Sequence, residues 1–157
     1  MNFGAGIRRS LFWFKDKLNG NPVGSHYKEI KFIIENYSDN HAMQLREKHL
    51  ANVLCHAIST TPFYSGIKES SIDKFPVIDK NIVRENFDSF KSKDNNSTPS
   101  CCFYTSGSTG APFSVNANRN KRDRNTADTI YFCELAGYNL GDKLYYFKIW
   151  SKLNRKS

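Results

Sequence analysis

The densest concentration of chemically capable groups is the run Tyr104-Thr105-Ser106-Gly107-Ser108-Thr109-Gly110-Ala111-Pro112. Its residue types suit phosphate. Gly107 and Gly110 let the backbone turn sharply and approach a ligand without a side chain in the way. Successive backbone N–H groups in such a turn can converge on an anion. Thr105, Ser106, Ser108 and Thr109 add hydroxyl donors. Pro112 favours an extended exit from the turn. The run is not a Walker A loop, which needs Lys directly after its last Gly and a helix beyond; here Ala111-Pro112-Phe113 follows Gly110. Nor is it the dinucleotide fingerprint, because the first glycine of that pattern is missing. The same residues also make an ordinary hairpin turn for conformational reasons alone, and composition does not choose between the two.

Other reactive groups are sparser. His26, His41, His49 and His56 all fall in the N-terminal half, and His49 and His56 are spaced to share a helix face. That pair without further ligands is a weak pattern for metal or catalysis, and hydrogen-bonded helix residues are the expectation. Of Cys55, Cys101, Cys102 and Cys133, the middle two are adjacent, so no C-x-x-C pair exists. The expectation is buried free thiols in a reducing compartment.

The chain has 157 residues, 23 Lys and Arg against 15 Asp and Glu, and a net charge of +8. Such a balance suits nucleic acid, an anionic membrane surface, a phosphate-bearing ligand or simple solvation. Clusters lie at Arg8–Arg9, Arg119–Arg124 and Lys152–Lys156. The apolar run Leu11-Phe12-Trp13-Phe14 is broken by Lys15, Asp16 and Lys17, too soon for a signal peptide, and no stretch approaches a membrane span. A cytoplasmic location is expected.

The elements that must position the glycine-rich run come in two styles. Residues 1–24, with Gly4, Gly6, Gly20, Gly24 and Pro22, read as a loosely organised leader. If this leader is helical, Ile7, Leu11, Phe14 and Leu18 share one face, expected to pack on the same protein although a basic amphipathic helix can also lie on a membrane. Residues 25–90 read as a helical region. A helix over 26–37 carries Tyr27, Ile30, Ile33, Ile34 and Tyr37. A second, capped by Asp39 or Asn40 and stopped by Pro62, carries Leu50, Val53, Leu54, Ala57 and Ile58, and the two are expected to pair antiparallel. Asp79 is placed to cap a short helix through Phe87, with Val83 and Phe87 inward. Residues 91–100 are polar and read as a loop.

From there to residue 157 the pattern is strand (Cys102 to Tyr104), loop, strand (Phe113 to Val115), helix over 121–136 and buried strand (Leu144 to Trp150). The helix has Ala127, Ile130, Tyr131 and Leu135 inward and Gly137 as its C-terminal cap, and Leu140-Gly141-Asp142 makes a turn. The fold class is therefore α/β and incomplete: N-terminal helices, then the start of a mixed α/β layer.

The order Tyr-Thr-Ser-Gly-Ser-Thr-Gly-x-Pro resembles the phosphate-binding signature of adenylate-forming enzymes, the superfamily of acyl-CoA synthetases. The flanks are similar to its phenylacetate–CoA ligase branch. His56-Ala57 with Thr61-Pro62-Phe63-Tyr64 looks like that branch's N-terminal helix exit. Phe75 to Lys80, then Ile82 to Phe87, resembles its next block, and Ala136-Gly137-Tyr138 with Gly141-Asp142-Lys143 its "AGY…GDK" segment. The CapK-like members, named for capsular polysaccharide gene clusters, match best, over roughly residues 45–150.

The resemblance implies a layered adenylate-forming fold and an acid–thiol ligase chemistry. A carboxylate attacks the α-phosphorus of ATP, pyrophosphate leaves, and the acyl group passes to a thiol, commonly coenzyme A, with Mg²⁺ assisting. Thr105, Ser106, Gly107, Ser108, Thr109 and Gly110 would hold the β- and γ-phosphates, with Ser108 and Thr109 the leading hydroxyl donors. Where many relatives have Lys after the proline, this chain has Phe113. The family's adenine, Mg²⁺, ribose and carboxylate-contacting Lys motifs are not found in these residues, so an N-terminal fragment of a ligase, inactive alone, is the expectation. The alternatives are a basic nucleic-acid-binding module, resting on Arg119 to Arg124, and an accessory subunit that pairs with another chain.

Overall fold

The computed structural model describes residues 3–96, 101–104 and 114–145. Among these, the chain is mainly helical with one two-stranded hairpin. Five α-helices run Phe3–Leu18 (α1), Pro22–Glu35 (α2), Asn40–Thr60 (α3), Lys80–Glu85 (α4) and Arg119–Leu135 (α5). Single 3₁₀ turns occupy Pro62–Tyr64, Ile72–Lys74 and Lys93–Asn96. Strands Cys101–Tyr104 (β1) and Ser114–Ala117 (β2) pair antiparallel. Among the described residues this pair makes up the whole sheet, and no larger α/β layer is present.

The expected leader is the largest departure from the sequence reading. Residues 3–18 are helical, and α2 begins at Pro22, several residues before the expected start. The glycines and proline read as signs of looseness are the joint between two helices. Gly20 adopts φ +90°, Asn21 N–H donates to the Asp16 carbonyl at 2.8 Å, and Gly20 N–H to the Lys17 carbonyl at 3.2 Å. This is a Schellman ending, which satisfies carbonyls the helix would otherwise leave open. Pro22 then sits in the first turn of α2, where its missing N–H costs nothing. Asn21 gives no side-chain cap; the buried Asp16 carboxylate does, accepting from Val23 N–H at 3.1 Å and Gly24 N–H at 2.8 Å. A Cβ on Gly24 would push the Asn21 side chain aside and crowd the Asp16 carboxylate, with 3.2 Å to its Oδ2.

The core forms where α2 lies against α5. Val23, Ile30, Ala127, Ile130 and Tyr131 are buried together, with Phe12, Trp13, Tyr27 and Leu140 packed around them. The expected α2–α3 pair exists but is the lesser contact. Asp39 caps α3 as expected, accepting from His41 N–H at 2.9 Å, and the helix stops at Thr60 before Pro62. Its apolar stripe is mostly not core: Leu54 is buried, whereas Leu50 and Val53 are exposed. On α5, Ala127, Ile130 and Tyr131 are inward as expected, but Leu135 is exposed.

Two glutamates join the helices. Glu134 on α5 accepts from the Tyr27 hydroxyl on α2 and pairs with Arg9 on α1 at 3.2 Å. Glu29 on α2 pairs with Arg124 on α5 at 2.7 Å and lies 3.2 Å from His49 Nε2 on α3. That last contact is close but not directed as a hydrogen bond, so it works by charge when His49 is protonated. After α5, Gly137 takes φ +85° as the expected cap. Gly141, at φ +98°, lies so close to α1 that a Cβ would sit 2.3 Å from the Ala5 carbonyl oxygen. Arg8 Nε donates to the Gly141 carbonyl at 2.7 Å. The expected buried strand from Leu144 starts as exposed chain without strand pairing at Leu144 and Tyr145; Tyr146 to Trp150 lie outside the described residues.

The second half of the packing is aromatic. Phe63 stacks on Phe90 at 4.0 Å between ring centroids, and Tyr64 touches both Phe75 and Phe90 edge-on or tilted. Phe63 N–H donates to the Ser89 carbonyl at 2.9 Å, tying the 3₁₀ turn to the segment after α4. Asp79 caps α4 as expected, accepting from Asn81 and Ile82 N–H at 2.9 and 2.8 Å.

Candidate functional site

Thr105, Ser106, Gly107, Ser108, Thr109 and Gly110 lie outside the described residues. The structure describes the frame that holds the ends of this segment. In the hairpin register Tyr104 pairs with Ser114, Phe103 with Val115, Cys102 with Asn116 and Cys101 with Ala117. The glycine-rich segment therefore leaves and re-enters at neighbouring points of one antiparallel ladder, as a loop on a hairpin does. Asn118 closes the frame: its Oδ1 accepts from Lys121 N–H at 2.9 Å and starts α5 directly after β2.

Beside this hairpin lies a cleft of about 510 Å³. Its walls come from the end of α3 (His56), from α4 and the turn after it (Val83, Phe87, Phe90), from residues 91–94 and from β2 (Val115, Asn116) with Asn118. The lining mixes the apolar side chains of Val83, Phe87, Phe90 and Val115 with Lys91, Ser92, His56, two amides and one carboxylate, Asp94. The volume is in the range of small-ligand sites. Lys91 already has partners, with its Nζ 2.7 Å from Asp88 Oδ1 and 4.8 Å from the centre of the Phe87 ring. The pair with Asp88 is exposed and weak, so the ammonium can exchange it for an anion in the cleft. Burial raises the Tyr64 phenol above its ordinary value behind this wall.

His56 invites a proton-relay reading that its geometry denies. Its Nδ1 is 3.9 Å from Asp94 Oδ2, too far for a hydrogen bond, and both side chains are largely exposed. Its Nε2 is 3.3 Å from Thr60 Oγ1, but that hydroxyl donates to the His56 carbonyl at 2.8 Å. The threonine proton is therefore committed to the helix backbone, and no activated nucleophile results. The other histidines are also structural: His26 contacts Asn120 at 3.3 Å, and His41 packs on Phe32. Among the described residues, no three His, Cys, Asp or Glu side chains come together as a group that could hold a metal ion. Cys55, expected as buried, is exposed, and Cys133 is half-buried; both are free thiols.

The basic run on α5 is partly spent on the fold. Arg119 lies 3.8 Å from Asp123, and Arg124 is engaged with Glu29 and Asp128. Several blocks flanking the glycine-rich run likewise have structural work. Gly137 ends α5, Gly141 meets α1, Tyr138 donates its hydroxyl to the Asp142 carbonyl at 3.2 Å, and Phe63 and Tyr64 build the aromatic cluster. Sequence reasoning missed the cleft because its walls come from segments up to about sixty positions apart, with no spacing signal to join them. Comparison with protein-family models, with curated proteins and with solved structures finds no match to this chain.

Proposed function

We propose that the hairpin loop between Tyr104 and Ser114 grips the triphosphate tail of ATP, in the manner of adenylate-forming ligases of the phenylacetate–CoA ligase and CapK type. The observation that carries this reading is the hairpin register. Tyr104 and Ser114, the residues on either side of the Gly/Ser/Thr segment, are partners on one ladder, and successive backbone N–H groups in a glycine-rich turn can converge on one anion. Ser108 and Thr109 add hydroxyl donors, and Gly107 and Gly110 leave room for the phosphates. Phe113 offers no cation at the position where many relatives have Lys. In this reading Lys91, which shares a cleft with Val115 and Asn116 of β2, supplies positive charge to the leaving pyrophosphate.

The activity belongs to the reading as well: a carboxylate attacks the α-phosphorus and displaces pyrophosphate, and the acyl-adenylate then passes its acyl group to a thiol such as coenzyme A with release of AMP. The mixed α/β layers of the adenylate-forming fold, with this hairpin at their start, are the architecture it implies, and capsular polysaccharide synthesis is its setting. Residues 1–157 carry none of the family's adenine, ribose or Mg²⁺ motifs, so the reading assigns them triphosphate binding and not adenylate formation.

Calorimetric titration with Mg·ATP, inorganic tripolyphosphate and AMP tests the proposal. ATP and tripolyphosphate are expected to bind and AMP not to. Thr109→Ala should weaken binding about tenfold, the worth of one charge-assisted hydrogen bond, and Gly107→Val should abolish it. ATP–pyrophosphate exchange should be absent. Equal binding of AMP and ATP, or indifference to Gly107→Val, overturns the assignment. Salt-steep binding to DNA or RNA in place of ATP would favour a nucleic-acid module instead.

A further inference from the structure

Helix α1 has two apolar faces, and the fold uses one of them. Ala5 and Asp16 are buried, Phe12 and Trp13 are half-buried, and Trp13 packs edge-on against Tyr27 at 5.6 Å. On the opposite side Phe3, Ile7, Leu11, Phe14 and Leu18 recur at helical spacing as one stripe. All five are exposed, from 47% at Ile7 to 86% at Phe3. The expectation that this stripe packs on the same protein is therefore not met by the described fold.

The charges beside the stripe say what could cover it. At 100° per residue, Lys15 and Arg8 fall along one edge and Lys17 along the other. Lys15 and Lys17 make no ion pair among the described residues. Asp16, the one acid of the helix, is turned inward and committed to the first N–H groups of α2. The outer surface of α1 is thus an apolar band with cationic margins and no anion, on a chain of net charge +8. A second copy fits badly, since facing stripes would bring Arg8, Lys15 and Lys17 of both copies together. An anionic bilayer fits in both respects: the stripe enters the acyl boundary while the lysines reach lipid phosphates at the rim.

We propose that α1 docks the chain in the plane of an anionic membrane surface. Its 16 residues span about 24 Å, which suits a helix lying in the interface. Among the described residues no helix is long and apolar enough to cross a membrane. The inference does not depend on the ligase reading, since the stripe lies on α1, outside the cleft and hairpin.

Co-sedimentation of the full chain with phosphatidylcholine vesicles, and with vesicles carrying phosphatidylserine in about one lipid of three, tests it. Binding is expected to the anionic vesicles only and to weaken with salt. Leu11→Glu with Phe14→Glu should lower partitioning by about tenfold or more, and Lys15→Gln and Lys17→Gln by about fivefold each. These positions are exposed, so circular dichroism of the variants should be unchanged. Absence of binding to anionic vesicles overturns the proposal, as does binding that survives the double glutamate variant or is equal on neutral vesicles. If the glutamate variant instead abolishes self-association seen by sedimentation velocity, the stripe is a contact between copies and the proposal fails.

Discussion

The helical unit of α1, α2 and α5 and the region around the cleft are built on different principles. In the first, Ile30, Ala127 and Tyr131 are almost fully buried, and Asp16, Glu29 and Glu134 lock neighbouring helices with directed polar contacts. In the second, Phe63, Tyr64 and Phe90 are only half-buried, and the strands form a bare pair. A two-stranded hairpin alone is marginal in water. The helices are the scaffold, and the cleft and hairpin, with fewer buried contacts, are expected to open at lower free energy.

The sharpest way to break that contrast is to empty the helical core. Ile30→Ala should cost about 3 kcal/mol in urea unfolding, because its site between α2 and α5 cannot collapse around the gap. Asp16→Ala comes next, at about 2 kcal/mol, since it leaves two buried N–H groups of α2 without an acceptor. Asp16→Asn, which keeps one acceptor oxygen, should recover part of this loss. Phe90→Ala should cost less, about 1.5 kcal/mol, because part of the ring already meets water. Its effect should be local: faster hydrogen exchange at Phe63 and in α4 with little change in α5. A Phe90→Ala variant as damaging as Ile30→Ala would erase the distinction between scaffold and cleft.

A smaller effect sharpens the helical side through pH. The Tyr27 phenol is pushed up to about 12, first by burial, then by its hydrogen bond to Glu134 and that carboxylate's charge, with Arg9 opposing. In the unfolded chain the phenol titrates near its ordinary value, about 10. Between these values the unfolded chain has given up the proton that the folded one keeps. The stability from this contact is thus complete below pH 10 and is lost as pH rises toward 12. Tyr27→Phe should flatten the fall in unfolding free energy over that window, and absorbance titration of the variant should lack one late-ionising tyrosine.

The local punctuation of the fold was legible in the residues. Asp39 and Asp79 as caps, Pro62 as a stop, Gly137 as a helix ending and the strands around the glycine-rich run all act over a few positions. Gly20, Asn21 and Pro22 are equally local signals, but their cluster matches a loose leader as well as a tight joint between helices. Only the Asp16 carboxylate, reaching forward to Val23 and Gly24, decides for the joint. The cleft was not legible, because His56, Phe87 and Asn116 share no spacing rule.

By itself the sequence determined local stops and starts such as the Asp39 and Asp79 caps and the Pro62 stop, and which segment is densest in glycine and hydroxyl groups. The tertiary structure alone decided which face of each helix is inside. On α1 the longer apolar stripe lost to the face carrying Ala5, Trp13 and Asp16, and α2 found its main partner in α5, not α3. The physical reason is that caps and turns are settled by hydrogen bonds within a few residues. The rotation and pairing of helices depend on contacts such as Arg9–Glu134 and Glu29–Arg124, between residues about a hundred positions apart.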